Sequence, residues 1–230
     1  MKRLILFDID STLTQTQNGF VPFNMAILKT FGIDGDIRTV LPDGKTDPRI
    51  VEEIFAKKNI QVKFEPSHWE QFALHLRQSY DDALGAGATT VKALPGVWDL
   101  LNALAQLDAF SRGVVTGNLE TGAQIKLQAA GLDSYLGCGA YGSDSAHRPD
   151  LPRIARERWE KLIGQRFTPG NCVIVGDTAK DLDAARQNGM RCLLVGTGRY
   201  PVEELQHSNP DACVADLTDT TQVIEILRSL

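Results

Sequence analysis

Four short apolar runs, Arg3–Phe7, Gly113–Thr116, Cys172–Val175 and Cys192–Val195, constrain this chain's fold more than any other feature. From the second run to the fourth, the intervening segments read as helices that stop at glycine. These are LETGAQIKLQAAG at Gly131, LPRIARERWEKLIG at Gly164 and AKDLDAARQNG at Gly189. Glycine just past a helix is a strong stop because it accepts a left-handed backbone. Short buried strands alternating with helices need crossover connections, and crossovers make parallel sheets. The expected fold class is therefore α/β, a parallel sheet with helices on both faces.

Residues 17–90 break the rhythm with helix signals but no convincing strand. Asp47 before Pro48 reads as an N-cap with proline at the first helical position, and Ile50, Val51, Ile54 and Phe55 follow as a buried face. Ser67 and Glu70 read as a capping box. Trp69, Phe72, Ala73, Leu76 and Tyr80 then recur at helical spacing, a stripe better suited to a core than to a ligand. After a loose GAGATT comes LPG and a helix over Val97–Leu107. The expected organisation is a core of residues 1–16 and 91–230 with a helical cap domain, 17–90, inserted after the first strand. Its hinges are expected near Thr14–Gln17 and Gly85–Thr90.

Composition narrows the partners. The 230 residues are 43% hydrophobic and 23% charged, ample for a globular core, and the net charge of −5 is spread along the chain. No cluster of Lys and Arg marks a nucleic-acid surface. The N-terminal apolar run is too short for a secretory signal, and no run reaches the ~18 residues of a membrane span. Cys138, Cys172, Cys192 and Cys213 form no C-x-x-C pair, and the four histidines have no metal-ligand spacing. Reduced thiols in a cytoplasmic protein are expected.

Three of the strands end in unusual residues. The first runs into Asp8, Ile9, Asp10, Ser11 and Thr12. The second ends at Thr116, Gly117 and Asn118, and the third at Asp177, with Asp181 one helical turn later. In a parallel sheet these ends share one edge, where open α/β sheets bind ligands. Carboxylates brought together repel each other unless they share protons or a cation. A hard divalent ion such as Mg²⁺ is the simplest solution.

These residues resemble the haloacid dehalogenase superfamily in its phosphatase branch. FDIDSTL is similar to the first motif, Asp-x-Asp-x-Thr; VVTGN to the second; VGDTAKDLDAAR to the fourth, Gly-Asp-x-x-x-Asp. The cap sequence DGKTDPRI resembles that of phosphoglycolate phosphatase-like members. The resemblance covers nearly the whole chain and implies a Rossmann-like core with a helical cap. It also implies a Mg²⁺-dependent phosphatase for a small phosphorylated metabolite, with phosphoglycolate the first candidate.

In that implied mechanism Asp8 is the nucleophile and Asp10 the general acid and base. Mg²⁺ is held by Asp8, the Asp10 carbonyl and Asp177. Thr116, with backbone N–H groups at Ser11, Gly117 and Asn118, binds phosphate. Asp181 acts from behind the metal, through its bound water or by orienting the third-motif cation. Lys45, Thr46 and Asp47 in the cap are candidate substrate contacts.

Two positions depart from the pattern. Ser11 stands where the family usually has glycine, at a cost on the order of 1 kcal/mol if the backbone there is left-handed. Arg148, in HRPDLPRIA, stands where the third motif usually has lysine; Lys126 and Lys180 are weaker candidates for that role. The competing readings are a phosphomutase of the β-phosphoglucomutase kind, a metal-independent 2-haloacid dehalogenase and a non-catalytic phospho-ligand sensor. A dehalogenase has no use for Asp10 or Asp177, because halide leaves without a proton.

Overall fold

The computed structural model describes residues 2–230. In chain order, β1 (Arg3–Phe7) is followed by β2 (Thr14–Gln17) and three helices, α1 (Phe20–Phe31), α2 (Asp47–Lys57) and α3 (Pro66–Gly85). β3 (Thr90–Ala93), α4 (Val97–Ala105), β4 (Phe110–Val115), α5 (Glu120–Ala129), β5 (Gly139–Ala140) and α6 (Leu151–Ile163) come next. β6 (Cys172–Gly176), α7 (Ala179–Gln187), β7 (Arg191–Val195), α8 (Val202–Gln206), β8 (Ala212–Val214) and α9 (Thr220–Ser229) complete the chain.

Six strands form one parallel sheet in the order β5-β4-β1-β6-β7-β8. Side chains alternate across it with the period of two that a strand imposes. Ile5 and Phe7 join Val173, Val175 and Leu193 under α4, α5 and α9, through Leu100, Leu127 and Val223. Leu4 and Leu6 join Ile174, Cys192 and Leu194 under α6 and α7, through Ala155, Trp159 and Leu182. β1 is thus buried on both faces, as its unbroken apolar run implies.

The helical segment builds a third cluster around Phe23, Phe55, Phe72 and Leu76. Phe31 meets Phe55, Phe64 and Trp69 edge-on at centroid distances of 5.1, 5.8 and 6.3 Å. Leu119 and Ile125, beside and within α5, belong to the same cluster, so the segment packs directly on α5.

Local structure differs from the sequence reading in three places. The expected hinges include a short antiparallel ribbon, β2 on β3, with Thr14 opposite Ala93 and Gln17 opposite Thr90. Four-residue polar strands with no apolar alternation give little signal. The capping box expected at Ser67 and Glu70 lies two residues too late: α3 starts at Pro66, and the Glu65 N–H donates to His68 Nδ1 at 2.9 Å. Proline at the first position fixes the boundary ahead of Ser67. β5 and β8, of two and three residues, were not expected at all.

All four cysteines are free, with Cys172 and Cys192 buried. No helix among the described residues is long and apolar enough to cross a membrane.

The corrected start of α3 is testable by urea unfolding. His68→Ala removes the acceptor of the Glu65 N–H and should cost about 1 kcal/mol. Ser67→Ala should stay within ~0.5 kcal/mol, because Ser67 caps nothing.

Candidate active site

β1 lies between β4 and β6, and the order of strands reverses around it. Such a switch point opens a crevice beyond the carboxyl ends of the strands. The register aligns the three ends, since Phe7 pairs with Val114 on one side and Val175 on the other. Asp8, Thr116 and Asp177 each follow within two residues of those strand ends. All three are buried, at 6%, 0% and 6% exposure.

The turn after Asp8 is tight. The N–H groups of Thr12, Leu13 and Thr14 all point to the Ile9 carbonyl. Ser11 is left-handed, with φ at +58°, so the family's usual glycine would be relaxed where serine is strained by about 1 kcal/mol. The Ser11 N–H, expected among the phosphate donors, donates instead to the Thr14 carbonyl at 2.8 Å. The Ser11 carbonyl accepts from Thr197 Oγ1 at 2.5 Å.

Two buried cations divide the acids between them. Arg148, in the turn before α6, places Nη2 3.1 Å from Asp8 Oδ2 and against Asp181 Oδ1. The other Asp181 oxygen accepts from the Thr178 N–H and hydroxyl at 3.1 and 2.7 Å, which caps α7. One oxygen each of Asp8, Asp177 and Asp181 falls within 4.8 Å of the others. Among the described residues, no side chain donates a hydrogen bond to Asp177. Gly198 lies so close to it that an added Cβ would fall 1.9 Å from Asp177 Oδ2.

Burial pushes the Asp8 carboxyl up to about 6; Arg148 pulls it back, while Asp181 and Asp10 push it further up. Burial, then Asp181 and Asp8, pushes Asp177 up to about 9. One guanidinium is too little positive charge for three buried carboxylates. The donor set fits a hard divalent cation, with Asp8 and Asp177 the carboxylates available to it. Asp181 is already taken by Arg148 and Thr178.

The second cation is Lys126. Its Nζ lies 2.8 and 2.6 Å from the Asp10 oxygens and 2.7 Å from Asn118 Oδ1. Asn118 Nδ2 in turn donates to Asp10 Oδ2 and to Thr116 Oγ1, both at 2.8 Å. Burial disfavours the Lys126 charge, but Asp10, Tyr80 and Asp47 more than offset it, and its pKa is raised.

The helical segment closes the site from above. Asp47 Oδ2 accepts the Leu119 N–H at 2.8 Å, and the Asp47 N–H donates to the Gly117 carbonyl at 2.8 Å. Thr46 Oγ1 donates to the Ala146 carbonyl at 2.8 Å. A Cβ on Gly117 would sit 1.9 Å from the Lys45 carbonyl, so only glycine admits this approach. The cavity of about 480 Å³, open to solvent on one side, is lined by Asp8, Asp10, Thr116, Arg148 and Asp177 below and by the helical segment above.

A family model described as a haloacid dehalogenase-like hydrolase matches residues 2–189. The chain belongs to that family. It is 28% identical over 224 residues to a phosphoglycolate phosphatase of Synechococcus elongatus, covering 96% of each chain. It is 26% identical over 235 residues to a 5'-nucleotidase of Pseudomonas aeruginosa, covering 96% of this chain and 95% of that one. A solved hydrolase from Pseudomonas syringae, 22% identical, superposes with a TM-score of 0.69 over 98% of both chains.

In this haloacid dehalogenase-like hydrolase the expected core residues gather at one edge, and Arg148 reaches Asp8 from the place where the third motif usually has lysine. Lys180 does not reach it; it is exposed and lies 4.0 Å from Asp183. Lys126, a weaker candidate from the sequence, sits late in α5 and holds Asp10. Side chains on a helix lean toward its N-terminus, so a long lysine reaches back past the turn before it. Gly122, one turn earlier, lies against Leu76 and Asn118, where an added Cβ would fall 3.3 Å from Leu76 Cδ2 and 3.8 Å from Asn118 Oδ1. Asn118, Gly122 and Lys126, spaced four apart, were the available signal.

Asp47 also differs from its expected role. It does not cap its own helix, whose cap position is Thr46; its carboxylate caps the start of α5 across the cavity. Lys45 is paired with Glu53 at 2.6 Å.

Burial raises the Asp47 carboxyl from 3.8 to about 6, against the pull of Lys126 and the Leu119 N–H. The stability it contributes is complete below pH ~4 and lost as pH rises through the folded value. Asp47→Asn keeps the acceptor without the charge. Relative to the wild type, this variant should gain on the order of 1–3 kcal/mol in urea unfolding between pH 4 and 7. A constant difference across that range would place Asp47 in a more solvated setting.

Proposed function

We propose that this enzyme is a Mg²⁺-dependent phosphatase that transfers a phosphoryl group from a small phosphorylated metabolite to Asp8 and then to water. The observation that carries this reading is the pairing of two non-equivalent acids at one cavity floor. Asp8 is buried against Arg148, whereas the Asp10 side chain is 43% exposed and held by Lys126. A nucleophile needs fixed orientation; a proton shuttle needs contact with the leaving group and with water.

In the first step an Asp8 oxygen attacks phosphorus and the bond to the leaving alcohol breaks, with Asp10 giving its proton to that alcohol. In the second, Asp10 takes a proton from water as the water attacks the aspartyl-phosphate and frees Asp8. Thr116 and the Gly117 N–H are the proposed donors to the phosphate oxygens, and Arg148 contributes positive charge beside Asp8. The Asn118 N–H already leans on Thr116 Oγ1 at 3.3 Å, which makes it the weaker donor. Ser11 lines the cavity but its N–H is engaged. Asp8, the Asp10 carbonyl and Asp177 would hold Mg²⁺, which when bound supplies charge that lets an anionic nucleophile approach an anionic phosphate.

Purified enzyme should release p-nitrophenol from p-nitrophenyl phosphate with Mg²⁺ and stop in EDTA. Asp8→Asn should lower kcat by at least ~10³-fold; a variant that retains full activity sinks the covalent route. Lys126→Met tests the hold on Asp10. It should slow an alkyl phosphate, whose alcohol needs a proton, at least about tenfold more than p-nitrophenyl phosphate, whose phenolate does not. Equal losses on the two would mean that Lys126 acts only on folding.

A further inference from the structure

The charges around the cavity are already paired. Five cations line it: Arg38, Lys45, Lys126, Arg148 and Arg199. Arg38 grips Asp36 through both carboxylate oxygens, with contacts of 2.9 to 3.1 Å. Lys45 lies 2.6 Å from Glu53, and Arg199 lies 2.5 Å from Asp43. Lys126 is bound to Asp10, and Arg148 to Asp8 and Asp181. The same lining carries five carboxylates, Asp8, Asp10, Asp43, Asp47 and Asp177, while Asp36, Glu53 and Asp181 add three more from behind.

Phe20, Phe23, Ile37, Val40, Ile50 and Leu76 give the helical segment's wall of the cavity an apolar stretch, beside Arg38, Lys45, Asp47 and Tyr80. The Arg38 guanidinium lies over the Phe20 ring at 4.1 Å and covers one of its faces. At about 480 Å³ the cavity has room for a leaving group far larger than a two-carbon acid. A second anionic group on the substrate would lose its water against hydrocarbon, and would have to displace Glu53 or Asp36 to find a cation.

We infer that the leaving group is an uncharged alcohol of about nucleoside size that lays a ring or hydrocarbon face on this wall. This inference rests on the phosphatase reading above. It disfavours phosphoglycolate, the first candidate from the sequence, and disfavours bisphosphorylated sugars. The wall gives its selectivity through burial and lack of countercharge rather than through a bonded group, so discrimination against a charged leaving group should exceed discrimination among neutral ones.

The test compares primary-alcohol phosphates with Mg²⁺ present: UMP and AMP against phosphoglycolate and fructose 1,6-bisphosphate, with p-nitrophenyl phosphate as control. At least one nucleoside monophosphate should exceed both charged substrates in kcat/KM by tenfold or more. Phosphoglycolate or the bisphosphate matching the nucleotides overturns the inference but leaves the phosphatase reading standing. No turnover of any ester, the control included, overturns both. Glu53→Gln frees Lys45 and should raise the phosphoglycolate-to-UMP ratio of kcat/KM about fivefold. A ratio unchanged in a folded variant would remove charge pairing as the basis of selectivity.

Discussion

The site depends on one buried arrangement, in which Arg148 stands between Asp8 and Asp181 with Asp177 alongside. Taking these carboxylates out of water costs more than one guanidinium returns. The imbalance appears as the upward displacement of Asp8 and Asp177. A fold that carried no cation chemistry would gain by replacing such a cluster with hydrocarbon. This chain keeps the cluster on the ends of its central strands, where the backbone is least free to move. Buried Leu4 to Phe7 on both faces of the sheet hold Asp8, and the capping box of α7 holds Asp181.

A second consequence follows from the two-cation division. Arg148 and Lys126 serve different acids and do not share one. Arg148 contacts two carboxylates at once through a single nitrogen, Nη2. Lys126 uses its three donors on Asp10 and Asn118. The two aspartates proposed as catalytic are two residues apart in sequence, with buried Ile9 between them, and each meets a different cation.

Much of this was legible in the sequence, and the reasons are physical. Apolar runs with acids at their ends reveal strands and strand ends because burial and charge are strong, local signals. Arg148 could be proposed from its place before Pro149, and it lies against Asp8. What the sequence hid were relations across distance. Asp47 reads as an N-cap of its own helix, and only the fold shows that it caps α5 instead, 72 residues away. Lys126 reads as one lysine on an amphipathic helix until Asp10 is placed 116 residues upstream. The pairing of Lys45 with Glu53 and of Arg199 with Asp43 likewise changes what those cations can bind.

These long-range contacts converge on the loop from Thr116 to Leu119. Asn118 donates to Asp10 and to Thr116, the Gly117 carbonyl accepts from Asp47, and the Leu119 N–H donates to the Asp47 carboxylate. The same loop therefore holds the proposed proton shuttle, through Asn118, and anchors the helical segment above it, through Gly117 and Leu119. Lys126 reinforces the link, because Asp10 and the Asp47 and Tyr80 of the helical segment all stabilise its charge. Loosening the segment would withdraw two of those partners and admit water around Asp10 together. Docking of the helical segment and orientation of Asp10 in this way share the same contacts, through a single buried lysine and one glycine that leaves room for the Lys45 carbonyl.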